Sequence, residues 1–403
     1  MTTTSSPAAG TGVQRPSSVS DAAQLLRDSR GSVLFRGGGT KLSWGGRPAD
    51  ADLVVETAGL GRLITHNPAD MTAAVQAGMP LHTLQELLAG AGQWLALDPP
   101  TEPAGATVGG LLATGDSGPR RLRYGALRDL VIGVTLVLAD GTVARAGGQV
   151  IKNVAGFDLS KLMYGSLGTL GLVAEVVVRV HPRPEASATV VVPAPVASAT
   201  ATSLHLLKSV LEPAAVDWAG DPRDGSGKGR LAVRFEGTTA GVAVQTAALH
   251  ELLGGATGGA ELLVESAETA LWRELAARHR AEPGESVASA GTLPSRLTAV
   301  ADALARAADA GGVEVRLLSH SALGLHTAHF AGRPEGQAQA FDRWRGAVLA
   351  MGGTVLLRDR PREVDDLVDP LGPPPSAVNL LRAVKSSLDP EGRLAPGRLG
   401  TWM

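Results

Sequence analysis

The sequence predicts an α+β protein built in two main parts. Three observations carry this reading. Residues 21–184 are dense with short β-branched runs separated by glycine turns. His181-Pro182-Arg183-Pro184 then interrupts that pattern with two prolines. Residues 185–367 mix strand-like and helix-like periodicities, as an α+β cap domain does. Around these, residues 1–20 are small and polar with two prolines and read as a disordered arm. Residues 368–403 read as a helix and a loop returning to the first part.

In the first part, Ser32-Val33-Leu34-Phe35 and Leu53-Val54-Val55-Glu56 are short apolar runs suited to buried strands. Thr72–Ala77 is another. Pro80 then starts, and Gly90 ends, a helix with Leu81, Leu84, Leu87 and Leu88 at helical spacing. Val131–Leu138 leads into Asp140-Gly141, a strong hairpin signal. Leu170–Val180 is a further strand. In the second part, Ala186–Thr202 is Ala/Val/Ser/Pro-rich text without an assigned element. Strands are expected at Leu231–Phe235, Val313–Leu318 and Thr354–Leu357. Helices are expected at Gln245–Leu253, Glu268–Arg280 and Ser295–Ala310. In Ala377–Leu388, Ala377, Leu381, Val384 and Leu388 fall on one helical face.

Composition narrows the function. The chain of 403 residues is 44% hydrophobic and 19% charged, an ordinary soluble profile. A net charge of −2 argues against a nucleic-acid partner. Without cysteine there is no disulfide, no thiolate nucleophile and no iron–sulfur cluster held by this chain's own thiolates. No apolar run approaches the ~18 residues of a transmembrane segment. The first residues lack the basic and apolar regions of a secretory signal, so the cytoplasm is the expected compartment.

The chemistry lies in the glycines. Arg36-Gly37-Gly38-Gly39-Thr40-Lys41 follows a strand, and Thr107-Val108-Gly109-Gly110 lies about seventy residues later. Bare backbone can turn its N–H groups onto an anion, and consecutive N–H groups form a nest for a diphosphate. Neither segment has Walker or Rossmann spacing. Two further glycine-rich segments, Arg123–Asp129 and Gly165–Gly171, also border strands. So many bare turns suit a long ligand that meets the chain at several points. A tight turn that requires glycine is the alternative reading of each.

This order of motifs resembles the FAD-binding domain of the vanillyl-alcohol oxidase / p-cresol methylhydroxylase family, over residues 20–184 with an echo at Asp389–Gly397. Asp116-Ser117-Gly118-Pro119-Arg120-Arg121 and the run from Gly148 to Gly171 resemble the smaller FAD-binding subunit of bacterial glycolate oxidase. The resemblance implies that Arg36, Gly37, Gly38, Gly39, Thr40 and Lys41 wrap the FAD pyrophosphate. It implies that Thr107, Gly109, Gly110, Thr114, Gly115 and Ser117 line the cofactor and that Gly125 allows close approach. Gly168, Gly171, Leu172 and Val173 would lie near the flavin or adenine. For Lys152, Asn153, Asp158 and Lys161 an internal polar network bracing the loop is an equal reading.

Departures from the family matter as much. Members that link flavin covalently use a histidine in the first glycine loop, and none lies between Phe35 and Trp44, so noncovalent FAD is expected. The larger glycolate oxidase subunit and related D-2-hydroxyacid dehydrogenases carry G-H-x-G-D-G-N-x-H. Here Leu323 and Leu325 replace the acid and the amide, and His326 falls one residue early. A strand alternates faces, so that shift turns the ring away. No metal site is expected from His320, His326 and His329, and no catalytic base is identified. The resemblance implies FAD-dependent oxidation of a small 2-hydroxy acid together with a larger FAD-binding subunit and an iron–sulfur subunit. Any membrane association would come through those partners, whose contact would fall on the cap or on the tail near Leu399 and Trp402; docking of that tail onto its own FAD domain is the favoured alternative for the tail. A stand-alone flavin dehydrogenase and a subunit with structural FAD remain open alternatives.

Overall fold

The computed structural model describes residues 12–148, 158–223, 229–254 and 259–403. The sequence readings for Lys152 and Asn153 lie outside these residues. Two compact units result: Met1–Ser117 with Gly125–Arg183 and Pro373–Met403, and Gly118–Tyr124 with Pro184–Gly372. No helix among the described residues is long and apolar enough to cross a membrane.

The first unit contains a parallel three-stranded sheet in the order Gly12–Gln14, Leu53–Glu56, Val33–Arg36. This corrects the reading of residues 12–20 as part of a disordered arm. Val13 pairs with Val54, and Ser18 caps the helix Val19–Asp28 by accepting from the Asp21 N–H at 3.0 Å. Ala22 and Leu26 of that helix are fully buried. Local composition could not show this, because the partner strand lies about forty residues away.

A five-stranded antiparallel sheet runs Leu63–Asn67, Thr72–Gln76, Leu172–Arg179, Val131–Val137, Val143–Gly147. Its last two strands are the hairpin signalled by Asp140-Gly141. Val75, Val134 and Val176 pack with Leu84 and Leu88 of the helix Leu81–Ala89 and with Leu111 and Leu112 of Val108–Thr114. The chain's end closes on the same unit. The Val33 N–H donates to the Arg393 carbonyl at 2.8 Å, and the Ala395 N–H donates back to Val33 at 2.7 Å. The Arg393 guanidinium donates to carbonyls of Leu26, Ser29, Gly31 and Ala139. Leu394 and Leu399 are buried within this unit, while Leu380 is exposed.

The second unit is built on an eight-stranded antiparallel sheet. Its order is Glu261–Val264, Ala186–Pro193, Arg230–Gly237, Ala215–Gly220, Glu314–His320, Leu325–Ala331, Ser286–Gly291, Thr354–Asp359. One face is apolar: Val216, Trp218, Phe235 and Phe330 pack with Leu304, Phe341 and Trp344 from helices Leu297–Gly311 and Pro334–Ala350. The other face meets helix Glu265–Ala277 through Ala215, Ala219, Ala232 and Leu318. This second face also carries buried polar groups. Arg234 lies 3.1 Å from Glu236 and 3.0 Å from Glu268, so its buried charge is compensated.

Candidate functional site

In the first unit, a cavity opens beside the first glycine loop. The structure brings most of the sequence-derived set to it: Gly37, Gly38, Gly39, Thr40, Lys41, Thr107, Gly109, Gly110, Thr114, Gly168, Gly171, Leu172 and Val173. Strand Val33–Arg36 delivers the first loop, and Thr107 delivers the second by capping the helix behind it. The Thr107 hydroxyl accepts from the Gly110 N–H at 3.2 Å.

The glycines serve two purposes. A Cβ on Gly38 would lie 2.0 Å from the Gly105 carbonyl oxygen, so Gly38 lets two backbones touch. Gly39 has φ +70° and open space where its Cβ would be. Among the described residues, no protein acceptor takes the N–H groups of Gly38, Gly39 or Thr40. Three donors in a row beside a cavity are suited to an anion.

Lys41 plays a different part from its neighbours. It is 5% exposed, and its Nζ donates to Thr101 Oγ1 at 2.8 Å and to Thr40 Oγ1 at 3.1 Å. Asp116 Oδ2 lies 3.5 Å from the same ammonium. The positive charge is therefore largely compensated within the protein. Arg398, from the chain's end, also lines the cavity and donates to the carbonyls of Lys41 and Leu42. It locks the first loop from behind.

Four sequence-derived residues are not in the cavity wall. Arg36 pairs with Glu56 at 2.5 Å, and hydrogen bonds from Arg15 and Arg36 hold that carboxyl below its ordinary range. Gly115 ends the helix Val108–Thr114 at φ +68°, against the Tyr164 ring. Ser117 has a buried hydroxyl with no hydrogen-bond partner. Gly125, at φ +82°, makes the turn where the Asp129 carboxylate accepts from the Ala126 N–H at 2.9 Å. Asp158 and Lys161 pair at 3.1 Å, and Lys161 also donates to the Arg128 carbonyl, so both brace their loop.

Sequence reasoning missed Phe35, Leu42, Thr57, Ala77, Ala113, Leu167 and Arg398. Leu167 carried one usable signal, its place inside a glycine-rich turn. It adopts φ +54°, a conformation that costs a branched residue energy. Arg398 gave no local signal.

The wall thus combines apolar side chains, Phe35, Leu167, Leu172 and Val173, with backbone donors at Gly38-Gly39-Thr40. A flat aromatic system suits the first and a pyrophosphate the second, so the residues present fit FAD. Among the described lining residues there is no histidine or cysteine to link it.

Comparison with known proteins agrees. Residues 8–147 match the family described as "FAD binding domain", and residues 373–399 match "FAD linked oxidases, C-terminal domain". The chain therefore carries an FAD-binding domain and a segment like the C-terminal domain of FAD-linked oxidases. Its FAD-binding fold is of the p-cresol methylhydroxylase type. The crystal structure of p-cresol methylhydroxylase with substrate bound superposes with a TM-score of 0.74 at 16% identity, covering 96% of this chain and 88% of that one. Among relatives of this chain, the glycolate oxidase subunit GlcE of Escherichia coli is 43% identical over 125 residues, 31% of this chain and 36% of that protein. The D-lactate dehydrogenase of Archaeoglobus fulgidus is 35% identical over 42% of this chain and 39% of its own length. The match thus spans little more than a third of either relative. An uncharacterised FAD-linked oxidoreductase of Mycobacterium tuberculosis is 28% identical over 95% of this chain and 89% of its own length.

The histidines of the second unit do not gather as a strand motif would. His326 and His329 share strand Leu325–Ala331 but face opposite sides. His326 bonds Ser319 Oγ and Thr292 Oγ1, both at 2.9 Å. His329 bonds Glu285 at 3.2 Å and the Arg278 carbonyl. His320 lies apart from His326, against Asp217.

Proposed function

We propose that this chain is the smaller FAD-holding subunit of a glycolate oxidase complex and takes part in oxidising glycolate to glyoxylate. The observation that carries the reading is the 43% identity with the glycolate oxidase subunit GlcE. The chemistry supplied by bound FAD is acceptance of a hydride from the carbon bearing the hydroxyl. The N–H groups of Gly38, Gly39 and Thr40 would take the pyrophosphate oxygens. Phe35, Leu167, Leu172 and Val173 would exclude water from the rings, and Lys41, Asp116 and Arg398 would hold the loop in place.

Two features support a subunit over a complete enzyme. No carboxylate, histidine or tyrosine is among the described residues of the cavity wall, so the wall itself offers no proton acceptor for the substrate hydroxyl. The chain has no cysteine, so an iron–sulfur relay would reside on a partner. A larger FAD-binding subunit and an iron–sulfur subunit are the proposed partners, and the cytoplasm is the proposed compartment, with any membrane association made through them. The test is glycolate-dependent dye reduction by the isolated chain and by the co-expressed complex. Activity that appears only in the complex supports the reading.

One observation favours a second reading. The mycobacterial relative matches along nearly the whole chain, as a stand-alone dehydrogenase of another small hydroxy acid would. Rapid turnover by the isolated chain, unchanged by partners, would select it.

A further inference from the structure

We infer that Asp217, His279 and His320 form a binding site for a first-row divalent metal ion in the second unit. None of the three lines the flavin cavity, so the inference holds whether or not the glycolate reading does.

The site is assembled from three distant stretches. Asp217 and His320 stand directly opposite each other on antiparallel strands Ala215–Gly220 and Glu314–His320, and cross-strand partners share a face. His320 Nδ1 and Asp217 Oδ1 are 2.8 Å apart. His279 follows the helix Glu265–Ala277, and its ring lies 4.9 Å from that of His320, tilted by 35°. One candidate ligand atom from each residue lies within 4.8 Å of the other two. All three residues are buried, at 1%, 8% and 5% exposure in that order.

Two independent details point to a cation. Asp217 Oδ2 is buried and has no hydrogen-bond partner. An uncompensated carboxylate oxygen in the interior is costly, and a metal ion would satisfy it. His279 is held by its Nδ1, 2.8 Å from Thr327 Oγ1, which leaves Nε2 as its ligand atom. A second group that fixes ring orientation is the usual companion of a metal-binding imidazole. Two imidazole nitrogens and one carboxylate oxygen suit Zn²⁺ and its first-row neighbours.

The ligand set is not the one the G-H-x-G-D-G-N-x-H pattern would supply. Only His320 stands in that segment. Asp217 and His279 lie 103 and 41 residues before it in the chain. The sequence leads to the expectation of no metal site in this chain, and the inferred site reverses it; His320, His326 and His329 themselves bond different partners. The structure seats His320 with two residues that no local spacing could connect.

The experiment is metal analysis of the full-length FAD-loaded protein, stripped with chelator, dialysed against Zn²⁺ and then against metal-free buffer. One equivalent of zinc should remain. Asp217→Asn and His279→Ala should each lower affinity about tenfold or more, while His326→Ala should retain the full equivalent. Zn K-edge absorption on the wild-type protein keeps the test independent of variant folding, and should show two imidazoles in the first shell. The inference is overturned if the wild type retains no zinc, if both variants retain it unchanged, or if the spectrum shows no imidazole.

Discussion

Lys41 and Asp116 form a buried ion pair at 3.5 Å, with the Thr101 hydroxyl donating to the same carboxylate oxygen at 2.5 Å. The lysine closing the glycine loop therefore shapes the loop more than it attracts the ligand. Removing one member of a buried pair strands the other, at a cost of about 3–5 kcal/mol. Asp116→Ala should lower the unfolding free energy by that order in urea denaturation. Lys41→Met combined with Asp116→Leu should recover most of it. A loss below about 1 kcal/mol in the single variant would mean that the pair behaves as an exposed one.

Gly38 and Gly109 should be intolerant for a packing reason. A Cβ at Gly109 would approach Ala77 Cβ to 2.9 Å, as one at Gly38 would overlap the Gly105 carbonyl. Gly38→Val and Gly109→Val should lose FAD, read as flavin absorbance per chain, while the second unit stays folded. Gly39→Ala meets no neighbour and carries only the cost of φ +70°, about 1 kcal/mol. It should fold and bind FAD more weakly. Full flavin in both valine variants would reduce these loops to ordinary turns.

FAD should be held without a covalent bond. Among the described residues the cavity wall offers no histidine or cysteine, and the chain has no cysteine at all. Acid precipitation should leave flavin in the supernatant. FAD at about 100 times its dissociation constant should stabilise the folded protein by roughly 2.7 kcal/mol. Flavin that stays in the pellet would contradict this.

Much of the first unit was legible because its signals are local. Asp140-Gly141 marked its hairpin, Pro80 and Gly90 bracketed a helix, and the glycine loops marked the cavity. What stayed hidden depends on distant partners. Gly12–Gln14 becomes a strand only through Leu53–Val55, and Arg398 reaches the site only through the docking of the tail. In the second unit the helix Pro334–Ala350 went unread although Gln337, Phe341, Trp344 and Val348 follow helical spacing. Its buried stripe begins with a glutamine, whose amide bonds Ser286, Gly284 and Gly332, so the apolar period was incomplete. Strand Ser286–Gly291 is mostly small residues buried between Leu325–Ala331 and Thr354–Asp359, and carries little hydrophobic pattern of its own.

His326 should make the protein sensitive to mild acid. Burial, with a smaller Coulombic contribution from His320, brings its pKa down to about 3, from an ordinary value of 6.5. Its two ring nitrogens already bond Thr292 and Ser319, so the neutral ring is satisfied. The unfolded chain takes up the proton first. The stabilising contribution is therefore complete above about pH 6.5 and declines as pH falls toward the folded value. Between neutrality and about pH 5 the loss should be about 2 kcal/mol. His326→Gln keeps hydrogen-bonding capacity but cannot titrate. Other groups titrate alike in both proteins, so the difference in unfolding free energy isolates this ring. Wild type should lose about 2 kcal/mol more than the variant over that interval, and equal losses would place a titratable, solvated imidazole at position 326.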